Sequence, residues 1–139
     1  MHRKILHGLD GSAGSFKALE EALDLAHRYG TELHTISIEE VPHYTETIGE
    51  FLEEQEALNG TFKEALTKAR AMAAAKGVRL HAHVIVGHEV KSIVEFVKQR
   101  GFDLLVIGFM GHSAVYDRVM GSTCQSLVRL APCAVLVVK

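Results

Sequence analysis

The most specific chemical pattern in the chain lies near its C-terminus. Gly108 and Gly111 are followed by the nine residues His112 to Met120 and then by Gly121-Ser122-Thr123. Glycine lets the backbone come close to an anion and turn its N–H groups toward it. The run from Ser122 to Leu130 has helical spacing and stops before Pro132, so its N-terminal N–H groups and positive dipole end would face the same loop. Ser122 and Thr123 add hydroxyl donors. These are the parts of a phosphate site. The same residues would equally make ordinary turns and a helix cap, and spacing alone leaves both readings open. No G-x4-G-K-[S/T] motif occurs, so the chain lacks the phosphate-bridging lysine and magnesium-binding hydroxyl of fast P-loop hydrolases.

Other groupings are chemically thinner. His81 and His83 project from one side of an expected strand and could begin a metal site, but a structural zinc site wants four ligands and no partner spacing is visible. A polar strand face is the simpler reading. His7, Asp10 and Ser12 supply the residue types of a hydrolase triad without a G-x-S-x-G elbow, and closeness in sequence says nothing about alignment. Cys124 and Cys133 lack the CxxC spacing of a zinc or redox motif and read as small core residues.

The elements that must position these groups follow from periodicity. Lys4 to Asp10 reads as a strand. The stripe Phe16, Leu19, Ala22, Leu23 and Ala26 marks a helix with Ser12 as N-cap and Gly30 just past its end. Leu33 to Ile38 has strand composition, 39–47 with Pro42 reads as a loop, and a helical stretch runs from about 48 to 76 with a break at Asn59-Gly60 before Gly77 ends it. Val78 to Val86 alternates as a strand, Glu89 to Gln99 is helical with Gly101 at its end, and Leu104 to Ile107 and Ala134 to Val138 are apolar strands. Strands alternating with helices predict an α/β domain over 1–139 with one open five-stranded parallel sheet and helices on both faces. Ligands of such sheets sit outside the carboxyl ends of the strands, where strand order reverses.

Composition bounds the function. A 15.3 kDa chain with 47% hydrophobic and 23% charged residues is long enough for one core and leaves no room for a second catalytic domain. A net charge of -2 argues against broad attraction to nucleic acid or anionic membrane, although acidic side chains crowd the stretch 39–56. The longest apolar runs are too short to span a bilayer, and the start Met1-His2-Arg3-Lys4 lacks a signal-peptide pattern, so a cytoplasmic location is expected.

Gly108, Gly111, Gly121 and Ser122 match in order the pattern G-x2-G-x9-G-[S/T], and the chain resembles the branch of the universal stress protein family that carries it. The opening Lys4-Ile5-Leu6 through Asp10-Gly11-Ser12 and the closing Pro132 to Val138 look like that family's first and last segments, so the resemblance spans nearly the whole chain. It implies an adenine nucleotide alpha hydrolase-like sheet ordered 3-2-1-4-5, ATP (or ADP or AMP) at the switch between strands one and four, and a homodimer formed through 134–138. Carried over by motif, Gly8, Leu9 and Asp10 would border the adenosine, Ile38 would meet adenine, Gly108 and Gly111 would approach ribose and phosphates, and Gly121, Ser122 and Thr123 would hold the phosphate chain. A carboxylate repels a triphosphate unless a cation or hydroxyl intervenes, so Asp10 would serve the nucleoside or a Mg2+ ion, or else remain a turn aspartate bonding its own backbone. His112 would add a proton-dependent phosphate contact or simply face solvent.

Two positions depart from the pattern. Phe109 and Met110 stand where the family often has polar residues, and Gly8 where related nucleotide-binding members often have proline. The function implied is an ATP-binding stress-response or signalling module with at most slow hydrolysis, acting on a protein partner that the sequence does not identify. The alternatives are a slow Mg-dependent ATPase or phosphotransferase, and a dimeric scaffold without nucleotide.

Overall fold

The computed structural model describes residues 2–40, 60, 62–109 and 121–139. Along the chain come β1 (Ile5–Gly8), α1 (Ala13–Tyr29), β2 (Leu33–Glu39), α2 (Lys63–Lys76), β3 (Leu80–Val86), α3 (Glu89–Arg100), β4 (Leu104–Gly108), α4 (Ser122–Leu130) and β5 (Ala134–Val138). The strands form one five-stranded sheet in the order β3-β2-β1-β4-β5, every neighbouring pair parallel. The chain builds outward from β1 to β3, then crosses back to β4 and β5 on the other side. That reversal opens a crevice between the carboxyl ends of β1 and β4.

Alternation along the strands decides which side chains face which helices. Ile5, Leu33, Leu104 and Val106 join Ala18, Ala22 and Ala26 of α1 and Leu66, Ala69 and Ala73 of α2 in one buried cluster. Leu6, Ile36, Leu105 and Ile107 point the other way, into Ile93, Phe96 and Val97 of α3 and Cys124 and Leu127 of α4. The sheet is thus covered on both faces, and β4 is apolar throughout because neither of its faces meets water, whereas β1 and β2 also bury His7, Thr35 and Ser37. Burial of each such Leu or Ile contributes about 1.5–3 kcal/mol. Among the described residues, no helix is long and apolar enough to cross a membrane.

Two strand boundaries differ from the periodicity by two residues, and several others by one. The first strand ends at Gly8 rather than Asp10, because the Asp10 Oδ1 accepts the Ser12 N–H at 2.8 Å and turns the chain. The third begins at Leu80 rather than Val78. Gly77 takes the left-handed conformation (φ 72°), and the Val78 N–H then reaches back to the Ala73 carbonyl at 3.0 Å, so Val78 closes the helix before the strand starts. Of the helical stretch expected over 48–76, the part from Lys63 is helix; 48–59 and nearly all of the 39–47 loop lie outside the described residues.

Candidate functional site

A cleft of about 390 Å3 lies at the carboxyl ends of β1, β2 and β4. Gly8, Leu9 and Asp10 form its wall on the β1 side, Ile38 on the β2 side, and Gly108 with Gly121, Ser122 and Thr123 on the β4 side. The structure therefore brings together eight of the residues that the motif and the first loop single out, whereas Gly111 and His112 fall outside the described residues.

Local chemistry explains each wall. At the start of α1, the Ser12 hydroxyl accepts the Ser15 N–H at 3.1 Å, so this helix end is closed by its own N-cap. At the start of α4 the cap position is Gly121, which has no side chain, and no side-chain cap bond is made. Ser122 is the first helical residue rather than the cap. The first turn of α4, which carries no acidic side chain of its own, therefore borders the cleft with its main-chain N–H end and the hydroxyl residues Ser122 and Thr123.

Gly108 has a second reason to be glycine. A Cβ there would stand 2.9 Å from both the carbonyl carbon and oxygen of Gly14, so the end of β4 rests directly on the backbone that begins α1. Beyond it, the Phe109 N–H donates to the Val138 carbonyl at 2.9 Å and the Phe109 carbonyl accepts the Gly121 N–H at 3.2 Å, which ties the departure and return of segment 110–120 together. The Phe109 ring lies 5.5 Å from the Lys139 ammonium and does not line the cleft. Its bulk is accommodated at the end of β5.

Below the cleft, His7 is wholly buried between two partners. Its Nε2 lies 2.8 Å from the Ser15 carbonyl, which can only accept, so that nitrogen carries the proton. Its Nδ1 is then an acceptor, 3.0 Å from the Thr35 hydroxyl. Burial pushes the imidazole down to about 4, despite the raising effects of the Ser15 bond and the Asp10 charge. At neutral pH His7 is an uncharged strut joining β1, β2 and α1. With Asp10 turned to the Ser12 N–H, His7, Asp10 and Ser12 are each engaged by main-chain partners.

Several wall residues were not singled out by motif. Glu39 at the end of β2 and Glu89 at the start of α3 join Asp10, giving three carboxylates and, among the described lining residues, no lysine or arginine. Phe62, Ile36, Ile93 and Leu127 supply apolar surface. For Glu39 and Glu89 the one available signal was their position beyond a predicted strand; the apolar four carried none, being ordinary core residues of β2, of α3 and α4, and of the cap of α2. Cys124 also lines the cleft; burial raises its thiol, which stays protonated, and Cys133 is likewise a free thiol.

At the opposite, amino-terminal end of the sheet, His81 and His83 do acquire partners. His34 pairs with His81 across β2 and β3, and its Nδ1 lies 2.9 Å from the His83 Nε2. Burial, then the nearby His81, His83 and Lys4 charges, hold His34 down to about 4.

A sequence model of the universal stress protein family matches residues 1–139. Over 147 aligned residues the chain is 31% identical to the universal stress protein MJ0531 of Methanocaldococcus jannaschii, covering 100% of this chain and 83% of that protein. Among solved structures, the universal stress protein UspA from Lactobacillus plantarum superposes with a TM-score of 0.87 at 25% identity, over 99% of this chain and 98% of that one. A universal stress protein in complex with cAMP matches with a TM-score of 0.77 at 25% identity, over 99% and 97%. The fold is the adenine nucleotide alpha hydrolase-like α/β sheet of these structures. With its five parallel strands in family order and a match that runs from end to end, the chain belongs to the universal stress protein family.

Proposed function

We propose that this protein binds ATP, or a closely related adenine nucleotide, in the cleft between β1 and β4 and serves as a nucleotide-dependent stress-response or signalling module with at most slow hydrolysis. The observation that carries this reading is the glycine-capped start of α4 opening into a cleft at the sheet's switch point. Apolar Ile38 and Leu9 suit a base, and the Gly121–Thr123 backbone suits phosphate. The cAMP complex of a relative supports the adenosine half of the ligand.

The carboxylates constrain the rest. Three acidic side chains around a polyphosphate repel it unless a hard cation intervenes, and oxygen donors are what Mg2+ prefers. The donor set fits Mg2+, with Asp10 as its protein ligand; the ion would supply charge neutralisation at the phosphates. Pairing of copies through β5 accompanies this reading. β5 is an edge strand of apolar residues, and the α4 residues Val128 and Leu130 beside it are 45% and 56% exposed.

Calorimetric titration of nucleotide-stripped protein with ATP, with and without Mg2+, tests the proposal, with phosphate release measured on the same samples. Saturable binding that is lost in a folded Gly121→Val variant is the expected result. Asp10→Asn keeps an acceptor for the Ser12 N–H but removes the charge, and should weaken Mg-dependent binding by roughly 10- to 100-fold. Absence of saturable binding to ATP, ADP, AMP and cAMP overturns the proposal, and steady Mg-dependent turnover replaces the module with a slow ATPase.

A further inference from the structure

The sheet carries a second concentration of chemically competent side chains, far from the nucleotide cleft. On the face that packs α3, the strands present mainly Leu, Ile and Val, yet at their amino ends His34, His81 and His83 lie side by side. The His34 ring stacks on His81 at 4.6 Å and 22°, and on His83 at 5.2 Å and 5°. Phe102 meets the His34 ring edge-on at 5.1 Å, and Phe96 stands 4.9 Å from the His83 ring. Glu32, immediately before β2, places its Oε2 2.9 Å from the His81 Nε2, and its Oε1 3.6 Å from Arg79.

We propose that Glu32, His34 and His81 form a binding site for an imidazole-seeking divalent transition cation, for which Zn2+ is the probe, with His83 orienting His34 from behind. One ligand atom from each of the three lies within 4.8 Å of the others. Tetrahedral Zn2+ with bonds near 2.0–2.2 Å holds its ligands about 3.3–3.5 Å apart. Closing the remaining gap needs only side-chain rotation of Glu32 and His81, which are partly exposed at 51% and 36%. Two imidazoles and a carboxylate complete three positions and leave the fourth to water or a ligand from outside.

The pairing behind the site matches what metal-bound histidine requires. A ligating imidazole usually donates its other ring N–H to a fixed acceptor. The 2.9 Å contact from His34 Nδ1 to His83 Nε2 provides that acceptor, provided the proton resides on Nδ1 and the cation takes Nε2. Packing against His83 and Phe102 restricts the His34 rotamer, so little freedom remains to be lost on binding. Lys4 and Arg79 place positive charge nearby and oppose a cation, so the affinity must come from inner-sphere bonds to the imidazoles. Since β3 is an edge strand, a cation held by Glu32, His34 and His81 would clamp it to β2.

Metal-stripped full-length protein titrated with Zn2+ by calorimetry, followed by thermal melting, tests this site. The expected outcome is one saturable Zn2+ per chain, raising the melting temperature, with affinity falling roughly 10- to 100-fold in Glu32→Gln and in His81→Gln. Both substitutions fall on partly exposed side chains, so folding should survive; His83→Gln, which preserves an acceptor, should retain binding. Co2+ in place of Zn2+ should give the intense visible bands of a four-coordinate site in wild type and His83→Gln but not in Glu32→Gln or His81→Gln. Wild-type protein without saturable binding overturns the proposal. So does Zn2+ binding of equal affinity in wild type and His81→Gln, which would assign the ion to other surface histidines. The site lies at the opposite end of the strands from the nucleotide cleft, so its Zn2+ affinity is read in nucleotide-free protein.

Discussion

Acid should loosen this fold through His7 in particular. The imidazole is wholly buried, bound by the Ser15 carbonyl and the Thr35 hydroxyl, and burial lowers it from 6.5 to about 4. A group lowered in this way contributes its stability fully above 6.5, and that contribution is lost as pH falls toward 4, since the unfolded chain takes up the proton first. The interval between the two values corresponds to about 3 kcal/mol in total. Between pH 7.5 and 5, linkage gives a loss of about 2 kcal/mol. Urea unfolding followed by circular dichroism at pH 7.5, 6 and 5 measures it, with His7→Gln as comparison because glutamine can still donate to Ser15 but does not titrate. The variant will be less stable outright; the readout is the slope. His34, also low and half-buried, erodes stability in the same direction, but it is present in both proteins and cancels. Equal slopes in wild type and variant would refute the reasoning and show that water reaches His7.

Other substitutions test the site's framework. Gly108→Ala forces a methyl against the Gly14 backbone and should destabilise by about 1–3 kcal/mol in urea while weakening nucleotide binding, because the first turn of α1 has to move. Ser12→Ala removes the cap on α1 and should cost about 1 kcal/mol, read from the same unfolding curves. Leu130→Glu places a charge on the exposed apolar surface beside β5; sedimentation should show wild type pairing at concentrations where the variant is monomeric, and a monomeric wild type would remove β5 as an interface.

Periodicity made the elements legible, and glycine marked where they stop. It missed Val78 because alternation continues smoothly through Val78, Leu80 and Ala82, whereas the hydrogen bond to Ala73 that assigns Val78 to the helix end is invisible in a pattern of apolar residues. Strand order came with the family motif; no composition of β1 through β5 dictates which strands are neighbours. The cleft wall was legible where it carried glycine or lay in the first loop, as at Asp10 and Gly121. Glu39 and Glu89 were not, since an acidic residue after a strand looks like any solvated surface residue. The histidine group shows the limit most clearly. His81 and His83 could be seen to share a side, but Glu32 and His34 stand 49 residues from their hydrogen-bond partners, and only the register of β2 on β3 joins them.

That register also separates the sheet's two borders in kind. One border is β5, apolar from Ala134 to Val138; the other is β3, whose amino end is surrounded by His81, Glu32 and Arg79. Like borders brought together are related by a two-fold axis and stop at two copies, whereas unlike borders joined head to tail leave a fresh pair exposed at every step and grow into fibres. The charged and ring nitrogen groups at the amino end of β3 find no counterpart within the apolar strand β5, which makes the head-to-tail contact the poorer match. The asymmetry therefore favours assemblies that close over those that propagate.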